Sequence, residues 1–463
     1  MERNKRLAKT TLIYFIGTFG SKILIFFLMP YYSHFLTAEQ YGSINLIINL
    51  VPLLGPIFSL QVNETIFRFI CDENKKNNIK NYISSSLMIW LFGMLSFIII
   101  YIPLSALLKF NYTILFLLYF VLNYLNLYMQ QILRGLKHNI DYTVSGVIST
   151  LVILIVNIIC VPRLQEKSIL IAYIISSLVV IIYSFIRGKI WQYISVKNIN
   201  KENIKDMLKY SIPLIPNQIS WWLNDFSGMY ILKHYVGNAA AGLISFGNKF
   251  PSALTILNSV FLLAWTENTI FEYKSKDRNE YFSVGLTIFM NILIIISTLM
   301  LPIVKVYYDL FISPEYYKSI SYIPILLVAM IFNALSAFLG TIYTASKKTS
   351  EAFKTTIVAA ISNVALDVIL IPRIGIYGYI FSLLISYIVF YITRRISINK
   401  LIKVKIISKE YLKYVILYIL AVIIFYLGNN IINFIYAFVY SIIVIYLNRN
   451  VIKKIINSFK LKK

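Results

Sequence analysis

The chain is 463 residues long, 59% hydrophobic and only 14% charged, with a mean hydropathy of +0.73 and a formal net charge of +25. Soluble domains carry about 25% charged residues, so a soluble globular protein is excluded. Nucleic-acid binding is excluded too, because the basic residues stand in short clusters between apolar runs and form no basic arm or RNA-binding signature.

In chain order, apolar runs long enough to carry a helix through a ~30 Å hydrocarbon layer fall at 8–31, 41–69, 80–107, 111–134, 142–162, 167–189, 207–236, 239–271, 280–308, 319–345, 352–372, 376–397, 410–428 and 431–447. Barrel strands need alternation over about ten residues, and these runs are continuously apolar for longer. The expected fold is therefore all-α, a polytopic membrane protein of about fourteen transmembrane helices. The first run follows MERNKRLAKTT and resembles a signal sequence in outline, but it is too long and lacks a small-residue cleavage site, so it is expected as span 1. Cys71 and Cys160 lie near opposite ends of different spans and are expected as free thiols.

Orientation follows from the loops, since Lys and Arg accumulate on the cytoplasmic side. With the N-terminus cytoplasmic, 35 of the 44 Lys and Arg fall on that side and seven in the opposite loops, leaving Lys22 and Lys249 inside the membrane. The alternation never inverts along the chain, so both termini are expected in the cytoplasm.

The chain also repeats itself. Phe35 to Gly42 (FLTAEQYG) joins spans 1 and 2, and Tyr235 to Gly242 (YVGNAAAG) joins spans 7 and 8, with Ile44 and Ile244 following in register. Span 5 ends NIICVPRL, Asn157 to Leu164, and span 11 ends DVILIPRI, Asp367 to Ile374. Both matches are displaced by six spans. An even displacement predicts two parallel, pseudo-symmetric six-helix lobes related by an axis along the membrane normal, as in secondary transporters. The boundaries are expected at 1–196 for the N-lobe, 197–206 for a cytoplasmic linker, 207–400 for the C-lobe, and 401–463 for spans 13 and 14 with a basic tail.

Several spans carry groups that lipid does not tolerate. Lys249 lies about eleven residues into its span, roughly 16 Å along a helix axis, where a lysine costs about 2.5 kcal/mol or more unless it meets a partner or a water-filled cavity. Lys22 is similarly deep. In span 2, Gln61, Glu64, Thr65 and Arg68 share a helical face, with Glu64 placed to pair with Arg68. In span 7, Asn217, Trp221, Asn224, Asp225 and Gly228 form another polar stripe, and Pro213 and Pro216 break or kink the near end. In span 8 the stripe is Lys249, Ser252, Ser259 and Thr266, with Glu267 beside it. Spans 1, 2, 7 and 8 are the equivalent pairs of the two lobes and are expected to line a central cavity suited to an anionic head group. Against this, Arg68 and Glu267 sit near span ends where interfacial residues are ordinary, and Lys22, Lys249 and Asp225 could pair as interhelical glue. Asp367, near the outer end of span 11, reads as structural.

Enzyme signatures are thin. His34, His138 and His234 have no ligand spacing, so no metal site is expected. The run Gly340 to Thr349 (GTIYTASKKT) lacks the second glycine of a phosphate loop and leaves a membrane span rather than a strand.

The stretches GTFGSKILIFFLMPYYSHFLTAEQYG (Gly17 to Gly42), RGLKHNIDYTVSGVIST (Arg134 to Thr150), IPNQISWW with YILKHYVGNAAAGLISFGNKFPS in spans 7 and 8, and AWTENT (Ala264 to Thr269) together resemble the bacterial polysaccharide-exporting flippases of the multidrug/oligosaccharidyl-lipid/polysaccharide superfamily. Where many members carry Asp-Arg before the end of span 7, this chain has Gly228 and Met229, with Asp225 one turn earlier. The resemblance implies a non-enzymatic, multi-pass flippase of the bacterial cytoplasmic membrane, active in O-antigen or capsule biosynthesis. It would translocate undecaprenyl-pyrophosphate-linked oligosaccharide repeat units by alternating access. Lys22, Lys249, Arg68, Asn224 and Trp221 would then bind substrate, and Asp225, Glu64 and Glu267 would couple transport to H⁺ or Na⁺, with no other cofactor. The partners implied are membrane lipids, a glycan polymerase and glycosyltransferases, with the protein itself a monomer. The alternatives are a cation-coupled multidrug exporter of the same superfamily, which the two lysines disfavour, and a membrane glycosyl- or phosphotransferase, which no acidic cluster supports.

Overall fold

The computed structural model describes residues 26–71, 76–346, 348–406 and 411–449, and among them every regular element is a helix. The end of span 1 is helical over 26–35, here α1. Span 2 is three helices, α2 (Ala38–Asn49), α3 (Val51–Phe58) and α4 (Val62–Cys71). There follow α5 (Lys76–Leu107), α6 (Thr113–Gly135), α7 (Asn139–Leu164), α8 (Lys167–Arg187), a short α9 (Lys201–Ser211) and α10 (Ile215–Val236). Span 8 is divided into α11 (Asn238–Gly247) and α12 (Lys249–Glu272). The rest are α13 (Arg278–Phe311), α14 (Ile323–Ser346), α15 (Thr349–Ile374), α16 (Ile376–Asn399), α17 (Tyr411–Leu427) and α18 (Asn430–Leu447). Among the described residues ten helical stretches are long and apolar enough to cross a membrane, and α17 is a shorter apolar helix. The chain is thus an all-α polytopic membrane protein. Helices α10 and α12, the expected spans 7 and 8, are not among the ten, and both carry the polar stripes read above.

By contact the chain falls into two compact units, 1–233 with 237–242, and 234–236 with 243–463. In the first, α7 and α8 run antiparallel and pack through small polar side chains. Ser149 and Ser176 hydrogen-bond at 2.8 Å, and Ser145, Ser177 and Ala172 are buried nearby, the small-residue packing that lets membrane helices approach where no hydrophobic force acts between them. The segment 197–206 is not a loose connection. It contributes most of α9, which packs on α4 and α5, and the residues before it are tied down by the serine run of α5. Ser84 accepts from the Ser195 N–H (3.1 Å) and donates to the Tyr193 carbonyl (3.0 Å), while Ser85 accepts from the Asn200 N–H (3.0 Å). Helix α10 is held to α2 within the same unit: the Trp222 indole donates to the Asn49 carbonyl (2.6 Å) and the Tyr230 hydroxyl to the Leu46 carbonyl (2.7 Å).

In the second unit α15 and α16 form the equivalent antiparallel pair, with α14 against α16 and α12. Trp265 of α12 stacks on Tyr281 (5.3 Å between centroids) and Phe338 (4.7 Å), and the α13 position facing it is Gly285, where any Cβ would overlap the indole. Helices α17 and α18 pack on α13, and tyrosine hydroxyls anchor the addition: Tyr418 donates to the Pro324 carbonyl (2.7 Å) and Tyr436 to that of Leu417 (2.6 Å). Arg394, in the basic stretch that closes span 12, is no loop residue. Its guanidinium is buried against the Phe390 ring (4.1 Å) and donates to the Ser336 carbonyl (2.6 Å) and to the Thr355 and Thr356 hydroxyls (3.3 Å each).

The repeat read from sequence recurs in local geometry. The α7–α8 turn passes through Gln165 at φ 48°, ψ −132°, and the α15–α16 turn through Gly375 at φ 58°, ψ −129°. Glycine adopts that conformation without penalty, whereas Gln165 does so at a cost. The latch recurs as well: Ser283 and Asn279 of α13 accept from the N–H groups of Lys405 (2.9 Å) and Lys403 (3.2 Å) beyond α16, as Ser84 and Ser85 of α5 accept from the segment beyond α8.

Candidate functional site

The expected span 2 is not one helix. Pro52 and Pro56 each remove a backbone donor from its middle, and after Phe58 the chain unwinds until Val62. Leu60 (φ 49°) and Gln61 (φ 54°) are both left-handed, at about 1–2 kcal/mol each for residues with a Cβ. Irregular backbone at membrane depth is tolerated only where it is buried in protein or lines a polar cavity, and Ser59 and Gln61 are indeed buried. Helix α5 makes room through Gly93, where a Cβ would overlap the Phe58 carbonyl oxygen. The unwound turn is closed by Thr65, whose hydroxyl (3.0 Å) and N–H (3.3 Å) both go to the Gln61 carbonyl.

Below the break, α4 packs against α6. Glu64 is exposed and accepts from the Gln131 amide at 3.3 Å. The oxygen of that amide is buried without a partner, as is the Asn63 Oδ1. One turn further, the Arg134 guanidinium lies 4.2 Å over the Phe67 ring, a cation–π contact. Arg68 is exposed in the last turn of α4.

The other residues singled out in the sequence are distributed as follows. Asn224 is buried on α10 with its Oδ1 unpartnered, while Trp221 and Asp225 beside it are half-buried. Lys249 is the first residue of α12, half-buried, just after the interruption at Asn248. Pro251 explains that interruption, because it has no N–H to offer the Gly247 carbonyl. Lys22 lies outside the described residues, and Glu267 is within α12 with its side chain outside what is described. Glu64 and Arg68 share the short helix α4, and Trp221, Asn224 and Asp225 share the longer α10.

Three further polar residues stand out by their surroundings. Gln131 meets Glu64 and Arg134 the Phe67 ring from α6, and the polar run from Asn126 to Arg134 in an apolar span is the signal that points to them. The third is Asp367. It is fully buried, neither carboxylate oxygen meets a donor in good geometry although the Ser382 hydroxyl lies beside it, and no ion pair to it occurs among the described residues. One turn earlier the buried Asn363 amide donates to Ser386 at 3.3 Å. The corresponding position of the first repeat is Asn157, equally buried, whose amide donates to the Ile153 carbonyl at 2.7 Å. Among the described residues no cluster of three or more His, Cys, Asp or Glu side chains could hold a metal ion.

Apolar helices that carry buried polar groups and an unwound segment in mid-span are the construction of a membrane transporter. Residues 7–266, more than half of the chain, match the family described as polysaccharide biosynthesis protein, and the protein belongs to that family. A comparison with curated proteins by sequence finds no match. The fold is shared with the lipid II flippase MurJ in an inward closed conformation, with a TM-score of 0.71 at 15% identity over 95% of this chain and 100% of that one. It is also shared with a multidrug resistance MATE family transporter of the MOP superfamily in an inward-facing conformation, with a TM-score of 0.68 at 14% identity over 82% of this chain and 95% of that one. The same family in an outward-facing conformation gives a TM-score of 0.56 at 16% identity over 85% and 95%.

Proposed function

We propose that this protein flips undecaprenyl-pyrophosphate-linked oligosaccharide repeat units across the bacterial cytoplasmic membrane by alternating access of two six-helix lobes. The observation that carries the reading is the conjunction of a polysaccharide-biosynthesis family with a fold that spans the whole of a lipid II flippase. The charged and polar groups of these spans suit such a cargo. Lys249, Arg68 and Arg134 supply cations for pyrophosphate oxygens, with Lys22 as a further ligand, and Asn224 and Trp221 meet the sugar or its linkage.

Coupling to H⁺ or Na⁺ falls to carboxylates within the membrane, with Asp225 and Glu267 as candidates and Asp367 the one the packing favours. A carboxylate taken from water without a counter-charge is costly, so at Asp367 a proton or a small cation would supply what the protein does not. Because the first repeat packs with Asn157 at the same place, the fold itself does not require a charge there.

The test is flipping in proteoliposomes of lipid-linked oligosaccharide extracted from the bacterium of origin, read by accessibility of the glycan to an external lectin. Flipping that accelerates with an imposed H⁺ or Na⁺ gradient is expected. Efflux of lipophilic cations without any movement of the lipid-linked glycan would establish the multidrug-exporter reading instead.

A further inference from the structure

We infer that the break in span 2 is a binding site for sugar hydroxyl groups, built from Asn63, Glu64, Gln131 and the first turn of α4. The inference rests on the flippase reading and assigns to these residues the glycan of the substrate rather than its pyrophosphate.

The site holds unused hydrogen-bonding capacity of both kinds. Unwinding 59–61 frees the amino end of α4, and the N–H groups of Asn63 and Glu64 make no backbone hydrogen bond. Those are donors. Asn63, only 7% exposed, has an unpartnered Oδ1, and the buried Oε1 of Gln131 is also unpartnered. The Gln131 nitrogen is spent on Glu64 Oε1 at 3.3 Å, which turns the amide oxygen away from that carboxylate and leaves Glu64, itself exposed, with a second oxygen to offer. Those are acceptors. Buried polar atoms are ordinarily paired, so unmet donors at the amino end of α4, together with unmet acceptors on its own Asn63 and on Gln131, which bonds its Glu64, point to a ligand that both gives and takes hydrogen bonds.

The chemistry of the ligand follows from the mixture. A pyrophosphate would use the N–H groups but would face the Glu64 carboxylate and two amide oxygens. A bare cation would use the oxygens and be repelled by the amino end of α4. A hydroxyl does both, since it carries one donor and two acceptor lone pairs. A sugar presents several at fixed spacing. Exposure of Glu64 leaves the site open on one side, and Gly93 lets the unwound turn sit close enough to α5 to be held in shape before the sugar arrives.

The test is equilibrium binding to the purified full-length protein in nanodiscs with two probes, the extracted lipid-linked oligosaccharide and undecaprenyl pyrophosphate without sugar. Wild type should bind both, the glycan-bearing probe more tightly. Gln131→Met and Asn63→Leu, which keep volume and remove the amides, should each weaken the glycan-bearing probe by about tenfold, the scale of one or two hydrogen bonds. The sugar-free probe should be unaffected. Equal weakening of both probes, or of neither, overturns the assignment, as does a wild type that binds both equally well while still flipping the glycan lipid. A wild type that binds neither probe removes the flippase reading first and this site with it. Should Asn63→Leu fail to fold, the less buried Gln131→Met decides alone.

Discussion

Gly42 of α2 and Gly242 of α11, the closing glycines of the two repeated motifs, lie back to back in a reciprocal contact. A Cβ on Gly42 would overlap the Asn238 carbonyl oxygen and lie 2.6 Å from the Gly242 nitrogen; one on Gly242 would overlap the Ala38 oxygen and lie 3.0 Å from the Gly42 nitrogen. Ala38 and Asn238 are themselves matched positions of the repeat, so the contact is two-fold symmetric in sequence as well as in space. Such a crossing exists only between residues without side chains.

Alanine at either position is therefore expected to act against its usual sign. In a helix interior Gly→Ala normally stabilises by up to about 1 kcal/mol, whereas overpacking costs about 1–3 kcal/mol. Gly42→Ala and Gly242→Ala should lower flipping by preventing this closure, and Gly42→Leu should abolish it. Gly146→Ala, where nothing lies within 4 Å of the added Cβ, is the control and should be neutral or stabilising. If the contact is a gate that opens in each cycle, a cross-link between Phe35→Cys and Tyr235→Cys should also stop transport. Full activity of Gly42→Leu in the proteoliposome assay would show that the crossing is not used.

The topology is open to direct measurement. Fourteen spans with both termini cytoplasmic follow from the unbroken Lys/Arg alternation. In a background with Cys71→Ser and Cys160→Ser, Asn198→Cys and Ser458→Cys should be shielded from a membrane-impermeant maleimide in intact cells and labelled after permeabilisation. Labelling of either in intact cells would reverse or break the assignment.

What the sequence conveyed and what it hid divide on physical lines. Apolar length is a property of each span by itself, so the all-helical, polytopic character of the chain could be read directly, and the matched end motifs could be read from residue identity alone. The Gly42–Gly242 register was legible because glycine has to be written into the chain for the backbones to touch. The break at 59–61 was not, because the left-handed residues are Leu60 and Gln61 rather than glycine, and the surroundings, Gly93 above all, impose what local preference opposes. The burial of Asp367 was hidden for a related reason: its place near the end of a span reads as structural, and only packing reveals that it is enclosed with no ion pair among the described residues.

Asp367→Asn makes the second repeat copy the first, which carries Asn157. The variant should insert and accumulate like wild type, since the fold already accommodates the amide at the equivalent place. Transport should lose its acceleration by an H⁺ or Na⁺ gradient, with the gradient-driven rate falling about tenfold or more, the scale of ~1.4 kcal/mol of lost coupling. Low abundance rescued by no second change, with normal gradient dependence of the protein that does accumulate, would make Asp367 a packing residue only.

Lys249 separates the two roles open to an ammonium in the membrane. It stands at the start of α12, at the interruption that Pro251 imposes, and a lysine near mid-membrane costs about 2.5 kcal/mol or more unless a partner or a water-filled cavity meets it. If it binds pyrophosphate, Lys249→Ala should abolish complementation of a flippase-deficient strain while abundance stays normal, and stability could rise as the desolvation cost disappears. If it instead balances a carboxylate such as Asp225 or Glu64, Lys249→Ala should lower abundance by stranding that charge, and removing both charges should restore abundance and transport together. Arginine sharpens the distinction, since it keeps the charge and adds a planar fork that matches phosphate oxygens. Lys249→Arg should therefore keep partial activity and Lys249→Glu should lose it. The same set applies to Lys22. Flipping indifferent to Lys249→Glu would take this residue out of the site and leave Arg68 and Arg134 to carry the anion.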